Sequence, residues 1–335
     1  MKSLSISVVI PTYNRAHLLP RSIESALREM ADGDELILVD DGSTDDTALV
    51  AARFGKQIRH IRIDNSGTGK ARNVGINEAS RDLVAFLDSD DEFMPGRLEL
   101  PRRLLLARPE ILFTFTDMAG TTKSGEVKRW FLQTWHKNSR PWEAIFGPGI
   151  DYSSVAKLPE GTPDFKVYEG NLYGALAHEP YVAAQTATVR REEAGCALYF
   201  DEDWPLYEDW GCFARLAKVG KAAFLNIETA WQHSHAGPRL TSTSALIHAS
   251  TRVELLERIW GQDQEYLASS AEEYRSLLNY HRGLKARHLY ALGRRAEAAR
   301  EIRFLMRPSL LYRVLTMIPG PLIMVLAFLA RHLKR

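Results

Sequence analysis

The sequence predicts an α/β chain, with a mainly parallel, doubly wound sheet followed by an all-helical C-terminal region. Three observations carry that prediction. Short apolar runs alternate with helix-length stretches from Ile6 to Thr116, the pattern of parallel strands joined by crossover helices. The densest polar clusters stand immediately after the apolar runs, where open α/β sheets bind ligands. Beyond about Thr243 no strand-like run remains.

The elements follow in order. Ile6 to Ile10 reads as the first strand and His17 to Met30 as a helix. Glu35 to Val39 is the second strand. Thr44 to Phe54 is a helix, with Ser43 or Thr44 as its cap and Asp45 and Asp46 in its first turn. Ile58 to Ile63 is the third strand, Gly69 to Ala79 a helix, and Leu83 to Leu87 the fourth strand. Pro95 to Arg108 is a helix and Ile111 to Thr116 a strand. From about Gly120 to Pro180 the pattern lapses into a stretch rich in Pro, Gly, Trp and Tyr; irregular segments that long are usually functional or flexible. Tyr181 to Val189 restores regularity, Leu206 to Val219 is helical, and Ala222 to Ile227 is a strand. Leu277 to Leu305 resembles a helix pair joined near Gly293.

Composition narrows the class. The 335 residues are 45% hydrophobic and 25% charged, with a formal net charge of +1. A general nucleic-acid binder would carry a basic excess, so no nucleic-acid partner is expected. Cys196 and Cys212 are the only cysteines. Two thiols make neither a disulfide framework nor a four-thiolate zinc site, and a reducing cytoplasm suits them. The start, Met1 to Ser5, has no apolar core of signal-peptide length. Val314 to Ala330 carries no charge and is flanked by Arg313 and by Arg331, His332, Lys334 and Arg335. It is short for a membrane span, and Pro319-Gly320-Pro321 interrupts it. It reads equally as a helix in a membrane interface or as a terminal helix docked on the domain.

The chemistry gathers at four strand ends. The first reads Pro11-Thr12-Tyr13-Asn14 and the second Asp40-Asp41-Gly42-Ser43. The third leads into Ala71-Arg72-Asn73-Val74-Gly75 and the fourth into Asp88-Ser89-Asp90-Asp91. A shared sheet edge brings them together. Tyr13 can stack on a base, Asp40 or Asp41 can accept from a base N–H, and Arg72 can contact a diphosphate. Clustered carboxylates repel one another, and a divalent cation on Asp90 would offset that and bridge two phosphates. The bland alternative for the acidic cluster is a helix N-cap, a role that suits Asp91. The Gly-rich segment is not a P-loop, since Asp64 and Ala71 stand where Gly and Ser or Thr are needed. Nor is it a dinucleotide fingerprint, since Arg72 stands at the third glycine and the segment follows the third strand.

From Ser5 to Ser242 the assembly resembles the inverting glycosyltransferase family 2, with its GT-A fold. The carriers are Val8 to Asn14, Val39 to Ser43, Ala71 to Gly75 and Phe86 to Asp91. The resemblance implies that Asp40 or Asp41 reads the base, commonly uracil. It puts Asp88 near the ribose and makes Asp90 the second carboxylate of an Asp-x-Asp motif that binds Mn²⁺ or Mg²⁺. It also implies that Glu208-Asp209 opens a helix whose Asp209 is the general base. The alternative for Asp209 is an ordinary acid in a first turn, where the helix dipole favours it. Trp231 to His235 falls where relatives often place a metal- or phosphate-binding histidine; His233 fits better, and His235 stays open.

By this resemblance residues 1–242 form a GT-A domain, 1–118 its nucleotide-binding half and 119–242 its acceptor and catalytic half. Residues 243–335 form a helical extension, and its segment 310–333 either meets the membrane or docks on the domain. The expected activity is metal-dependent inverting transfer of a sugar from a nucleotide sugar, UDP-linked, to a glycan or lipid-linked saccharide. The protein would be cytoplasmic, peripheral on the cytoplasmic face of the inner membrane. Two other readings share some features: a nucleotidyltransferase, and a non-catalytic nucleotide-sugar-binding scaffold. Pro11-Thr12-Tyr13-Asn14 lacks the Gly-rich basic signature of the first.

Overall fold

The computed structural model describes residues 3–134, 140–235, 237 and 243–305. They fall into two compact units: Met1–Trp204 with Glu208–Gly237, and Pro205–Tyr207 with Pro238–Arg335.

The first unit is built on one sheet. Its strands are β1 (Ile6–Thr12), β2 (Glu35–Asp40), β3 (Arg59–Arg62), β4 (Leu83–Phe86), β5 (Glu92–Phe93), β6 (Ile111–Thr121), β7 (Val127–Lys128), β8 (Ile150–Asp151), β9 (Lys166–Gly170), β10 (Ala187–Arg190) and β11 (Lys221–Gln232). Their order is β3-β2-β1-β4-β10-β6-β11-β9-β8, with β5 on β11 and β7 on β6. β1 runs parallel to β2 and β4, and β2 parallel to β3, so the first four strands form the predicted wound sheet. β10 then enters antiparallel between β4 and β6. That insertion brings residues near 185–204 and the start of the helix at Glu208 to the edge where the loop after β4 lies.

Nine helices accompany the sheet among the described residues: α1 (Leu19–Glu29), α2 (Thr47–Ala52), α3 (Thr68–Glu78), α4 (Glu99–Ala107), α5 (Phe131–Thr134), α6 (Trp142–Phe146), α7 (Tyr173–Leu176), α8 (Arg191–Ala194) and α9 (Glu208–Val219). β1 shows why the layers close. Ile6, Val8 and Ile10 alternate onto one face and join a core with Leu19 and Ile23 of α1 and Leu36 and Leu38 of β2. Val9 faces the other way, against α3. A Cβ on Gly75 would stand 2.3 Å from Val9 Cγ1, so glycine is what lets α3 approach the sheet. The apolar wall beyond β10 is aromatic, with Trp142 stacked on Phe224 at 4.0 Å between ring centroids.

Three local expectations change. β6 and β11 run past their predicted ends at Thr116 and Ile227, because the polar residues there are paired inside the sheet. Thr116 and Thr229 share a hydrogen bond of 2.7 Å, and Asp117 Oδ1 accepts from the Leu132 amide at 2.9 Å. α2 starts at Thr47 with Asp46 as its N-cap residue, and Asp45 Oδ1 accepts from the Thr47 amide at 3.0 Å. Ser43 and Thr44 are engaged instead with Asn14. Asp91 caps no helix, since it leads into β5 and α4 begins only at Glu99.

The second unit is helical, with α10 (Ala245–Leu255), α11 (Gln264–Ala291) and α12 (Arg295–Arg303). The turn between α11 and α12 uses Gly293 at φ +76°, a left-handed conformation that favours glycine. Ala286, Ile302 and Leu305 pack together there, and Lys285 pairs with Glu301 at 2.7 Å. No helix of the described residues is long and apolar enough to cross a membrane. The predicted membrane segment 310–333 lies outside the described residues.

Candidate active site

The ends of β1 and β2 are stitched to each other. Asn14, at φ +51°, donates its amide to Ser43 Oγ at 2.9 Å, and its Oδ1 accepts from the Thr44 amide at 2.7 Å. Its carboxamide oxygen is thus spent on the neighbouring loop. Pro11 and Thr12 are buried, whereas the Tyr13 ring is 46% exposed and free to receive a planar partner. Asp40 and Asp41 separate clearly. Asp41 accepts from the amides of Ser66 and Gly67 at 2.8 and 2.9 Å, so both its oxygens fold the loop before α3. Asp40 accepts from the Ser43 amide through Oδ1. Its Oδ2 has no hydrogen-bond partner and faces Arg62 Nη1 at 3.7 Å and His60 Nε2 at 3.9 Å.

The Ala71 to Gly75 motif works inward. Asn73 clamps the backbone of Phe200, donating to its carbonyl at 2.9 Å and accepting from its amide at 2.8 Å. Arg72 is buried, 4% exposed. Its Nη1 donates to Glu208 Oε1 at 2.8 Å and its Nη2 to Asp88 Oδ1 at 2.7 Å. The guanidinium is not left open for a diphosphate, as the sequence suggested; it joins two carboxylates from the loop after β4 and the start of α9. The cause is topological: the insertion of β10 delivers α9 to this edge. The paired charges raise the Arg72 pKa despite burial, so it stays a cation.

Asp209 follows Glu208 in the first turn of α9 and accepts from the Trp210 amide at 2.8 Å. Burial, then the Glu208 charge, push its carboxyl up to about 7, with Arg72 and the Trp210 amide opposing and Asp88 adding to the rise. Near neutral pH it can therefore take up or release a proton, as a general base must.

The remaining acids meet the end of β11. Asp90 Oδ2 lies 2.7 Å from His235 Nε2, and the Asp90 carbonyl accepts from Arg21 Nη2 at 2.8 Å. His233, the residue the sequence favoured for Asp90, faces Glu92 at 3.0 Å instead. Alternation along the chain end explains both contacts: Asp90 and Glu92 are two apart, as are His235 and His233. That shared spacing was the available signal for Glu92; Arg21 left none in the sequence. Asp201 and Glu202 bind Arg215 and Lys70, as a solvated loop would.

The Asp90 carboxylate suits Mn²⁺ or Mg²⁺, while an imidazole more often binds later transition metals. The His235 nitrogen that faces Asp90 is Nε2, so an ion shared by the two side chains would take the place of their direct contact. Among the described residues no cluster of three or more His, Cys, Asp or Glu side chains could hold an ion. An ion on Asp90 and His235 would complete its shell with phosphate oxygens and water, the usual arrangement for such cations in phosphate chemistry.

Comparison with known proteins bears on the family and the fold. Residues 7–156 match the family model described as Glycosyl transferase family 2. An uncharacterized glycosyltransferase of Rickettsia bellii is 37% identical over 175 residues, which is 52% of this chain and 24% of that protein. The succinoglycan biosynthesis protein ExoO of Rhizobium meliloti is 45% identical over 95 residues, 28% of this chain and 27% of its own. The alignments thus span about a quarter of those relatives. The crystal structure of S. aureus TarS 1-349 in complex with UDP-GlcNAc superposes with a TM-score of 0.58 at 16% identity, over 84% of this chain and 72% of that one. The mannosyltransferase PcManGT from Pyrobaculum calidifontis, in complex with GDP-Man and Mn²⁺, gives 0.51 at 16% identity, over 95% and 84%. At that identity the two structures speak for the fold alone. Residues 7–156 are thus similar to family 2 glycosyl transferases, and the chain shares the GT-A fold of these structures.

Proposed function

We propose that this protein transfers a sugar, with inversion, from a nucleoside-diphosphate sugar to a hydroxyl of a glycan or lipid-linked saccharide. The observation that carries the proposal is the hydrogen-bonded bridge Asp88–Arg72–Glu208. It joins the donor-side carboxylate loop to the helix that carries an acid titrating near neutrality. UDP is the favoured carrier: Asp40 keeps an oxygen without a hydrogen bond for a base N–H, Tyr13 offers its ring, and TarS binds UDP-GlcNAc.

In the step itself, Asp209 takes the proton of the acceptor hydroxyl. The hydroxyl oxygen forms a bond to the anomeric carbon as the bond from that carbon to the diphosphate breaks. The electron pair leaves on the nucleoside diphosphate, and attack from the opposite face inverts the centre. Asp90 and His235 would hold a divalent cation, which when bound would supply positive charge to offset that of the departing diphosphate. Arg72 keeps Asp88 and Glu208 in place and tempers the charge around Asp209. Polysaccharide assembly is the fitting setting, given the name of ExoO. A cytoplasmic location, with 310–333 resting on the inner membrane, belongs to the same proposal.

The test is a panel of nucleotide sugars incubated with the protein and Mn²⁺. Release of a nucleoside diphosphate from one donor supports transfer. Silence across the whole panel, with saccharide acceptors present, overturns it. Pyrophosphate release from nucleoside triphosphates would point to nucleotidyl transfer, and tight binding without turnover to a scaffold.

A further inference from the structure

Three consecutive acids, Asp90, Asp91 and Glu92, all grip one short stretch of chain. Asp90 meets the His235 ring at 2.7 Å and Glu92 the His233 ring at 3.0 Å. Between them Asp91, 2% exposed, accepts from the His233 backbone amide through Oδ1 at 3.2 Å. Its Oδ2 accepts from Gln185 Nε2 at 3.2 Å, and its carbonyl accepts from Ser22 Oγ at 2.6 Å. The clasp continues the antiparallel pairing of Trp231 with Glu92 and Ala230 with Phe93. Adjacent carboxylates repel, and burying one is costly unless it is satisfied. Here each has its own partner on the facing segment.

We infer that Asp91 is a positioning residue for the metal pair, aided by Glu92 and His233; this rests on the metal role proposed above for Asp90 and His235. Asp90 and His235 come from segments more than 140 residues apart in the chain. Two ligands on separate segments keep their spacing only if something other than the metal ties those segments together. Asp91 is the tie: its carboxylate, on the turn after β4, holds the backbone at the end of β11 and the Gln185 side chain at once. Glu92 and His233 brace the adjoining rung. Outer residues that orient metal ligands commonly contribute 10–100-fold in affinity.

The test is Mn²⁺ titration of the full chain with UDP present, read by the electron paramagnetic resonance of free Mn²⁺. Wild type is compared with Asp91→Asn, Glu92→Gln and Asp90→Asn, and each is melted without metal. Asp91→Asn replaces one acceptor oxygen by a donor and opposes either the His233 amide or Gln185. It should weaken Mn²⁺ binding about 10–100-fold. Sugar-nucleotide turnover should then recover at high Mn²⁺, which a purely structural lesion would not allow. Glu92→Gln should weaken binding less, and Asp90→Asn should not be rescued. Mn²⁺ affinity equal to wild type in Asp91→Asn overturns the inference. If Asp91→Asn fails to fold, unchanged affinity in Glu92→Gln overturns it. If wild type itself binds no Mn²⁺ with UDP, the metal role of Asp90 and His235 falls and the positioning role with it, while sugar transfer is still judged by the donor panel.

Discussion

Replacing Asp209 by Asn should make the protein more stable at alkaline pH while stopping transfer. Asp209 is held at about 7 against an ordinary value of 3.8, roughly three units. Each unit is about 1.4 kcal/mol, so ionised Asp209 costs the fold at most about 4 kcal/mol. The sign follows from which state binds the proton more tightly. Here the folded state does, so below about pH 4 both states are protonated and there is no penalty. The penalty grows from pH 4 to 7 and is complete above 7. Asn cannot ionise and still accepts from the Trp210 amide, so it removes the cost and keeps the contact. At about 2–4 °C per kcal/mol for a unit of this size, Asp209→Asn should melt several degrees above wild type at pH 8. The gap should shrink at pH 6 and close near pH 4. Thermal melts by circular dichroism at these pH values read the effect. Equal or lower stability of the variant at pH 8, or a gap independent of pH, would refute the reasoning. Turnover should fall by about 10²–10⁴, the usual worth of a general base.

Other substitutions probe other parts of the account. Arg72→Leu strips the cation from between Asp88 and Glu208 and should cost about 3–5 kcal/mol; because Arg72 lowers the Asp209 pKa, the acid limb of kcat/KM should also move above pH 7, and an unmoved limb would remove Arg72 from the tuning. Gly75→Ala pushes a methyl into Val9 and should cost about 1–3 kcal/mol by denaturant titration, whereas Gly174→Ala, with nothing within 4 Å, should not. A chain ending at Arg307 should lose binding to anionic liposomes in a sedimentation assay; equal partitioning of short and full chains would discard the membrane contact.

The wound half of the fold was legible because its period switches cleanly between strand and helix, and because Asp, Asn and Gly mark each strand end. What stayed hidden depended on long-range pairing. Nothing local in Ala187–Arg190 announces that it slots antiparallel between β4 and β6. Arg72 looked like an anion contact because its two carboxylate partners lie 16 and 136 residues away. Thr116, Asp117 and Thr229 resembled strand ends because polar residues usually face water; inside the sheet they satisfy one another or the α5 backbone. The histidine register hinged on an alternation shared by two distant segments, visible only once β5 and β11 are paired.

The central claim is that these carboxylates carry out inverting transfer, and proton NMR of the anomeric region tests it most directly. The donor would be whichever nucleotide sugar the panel selects, followed with Mn²⁺ and acceptor present. The product should have the opposite anomeric configuration, form as nucleoside diphosphate appears, and be absent with Asp209→Asn. A product that retains the donor configuration, or undiminished turnover by Asp209→Asn, would contradict it.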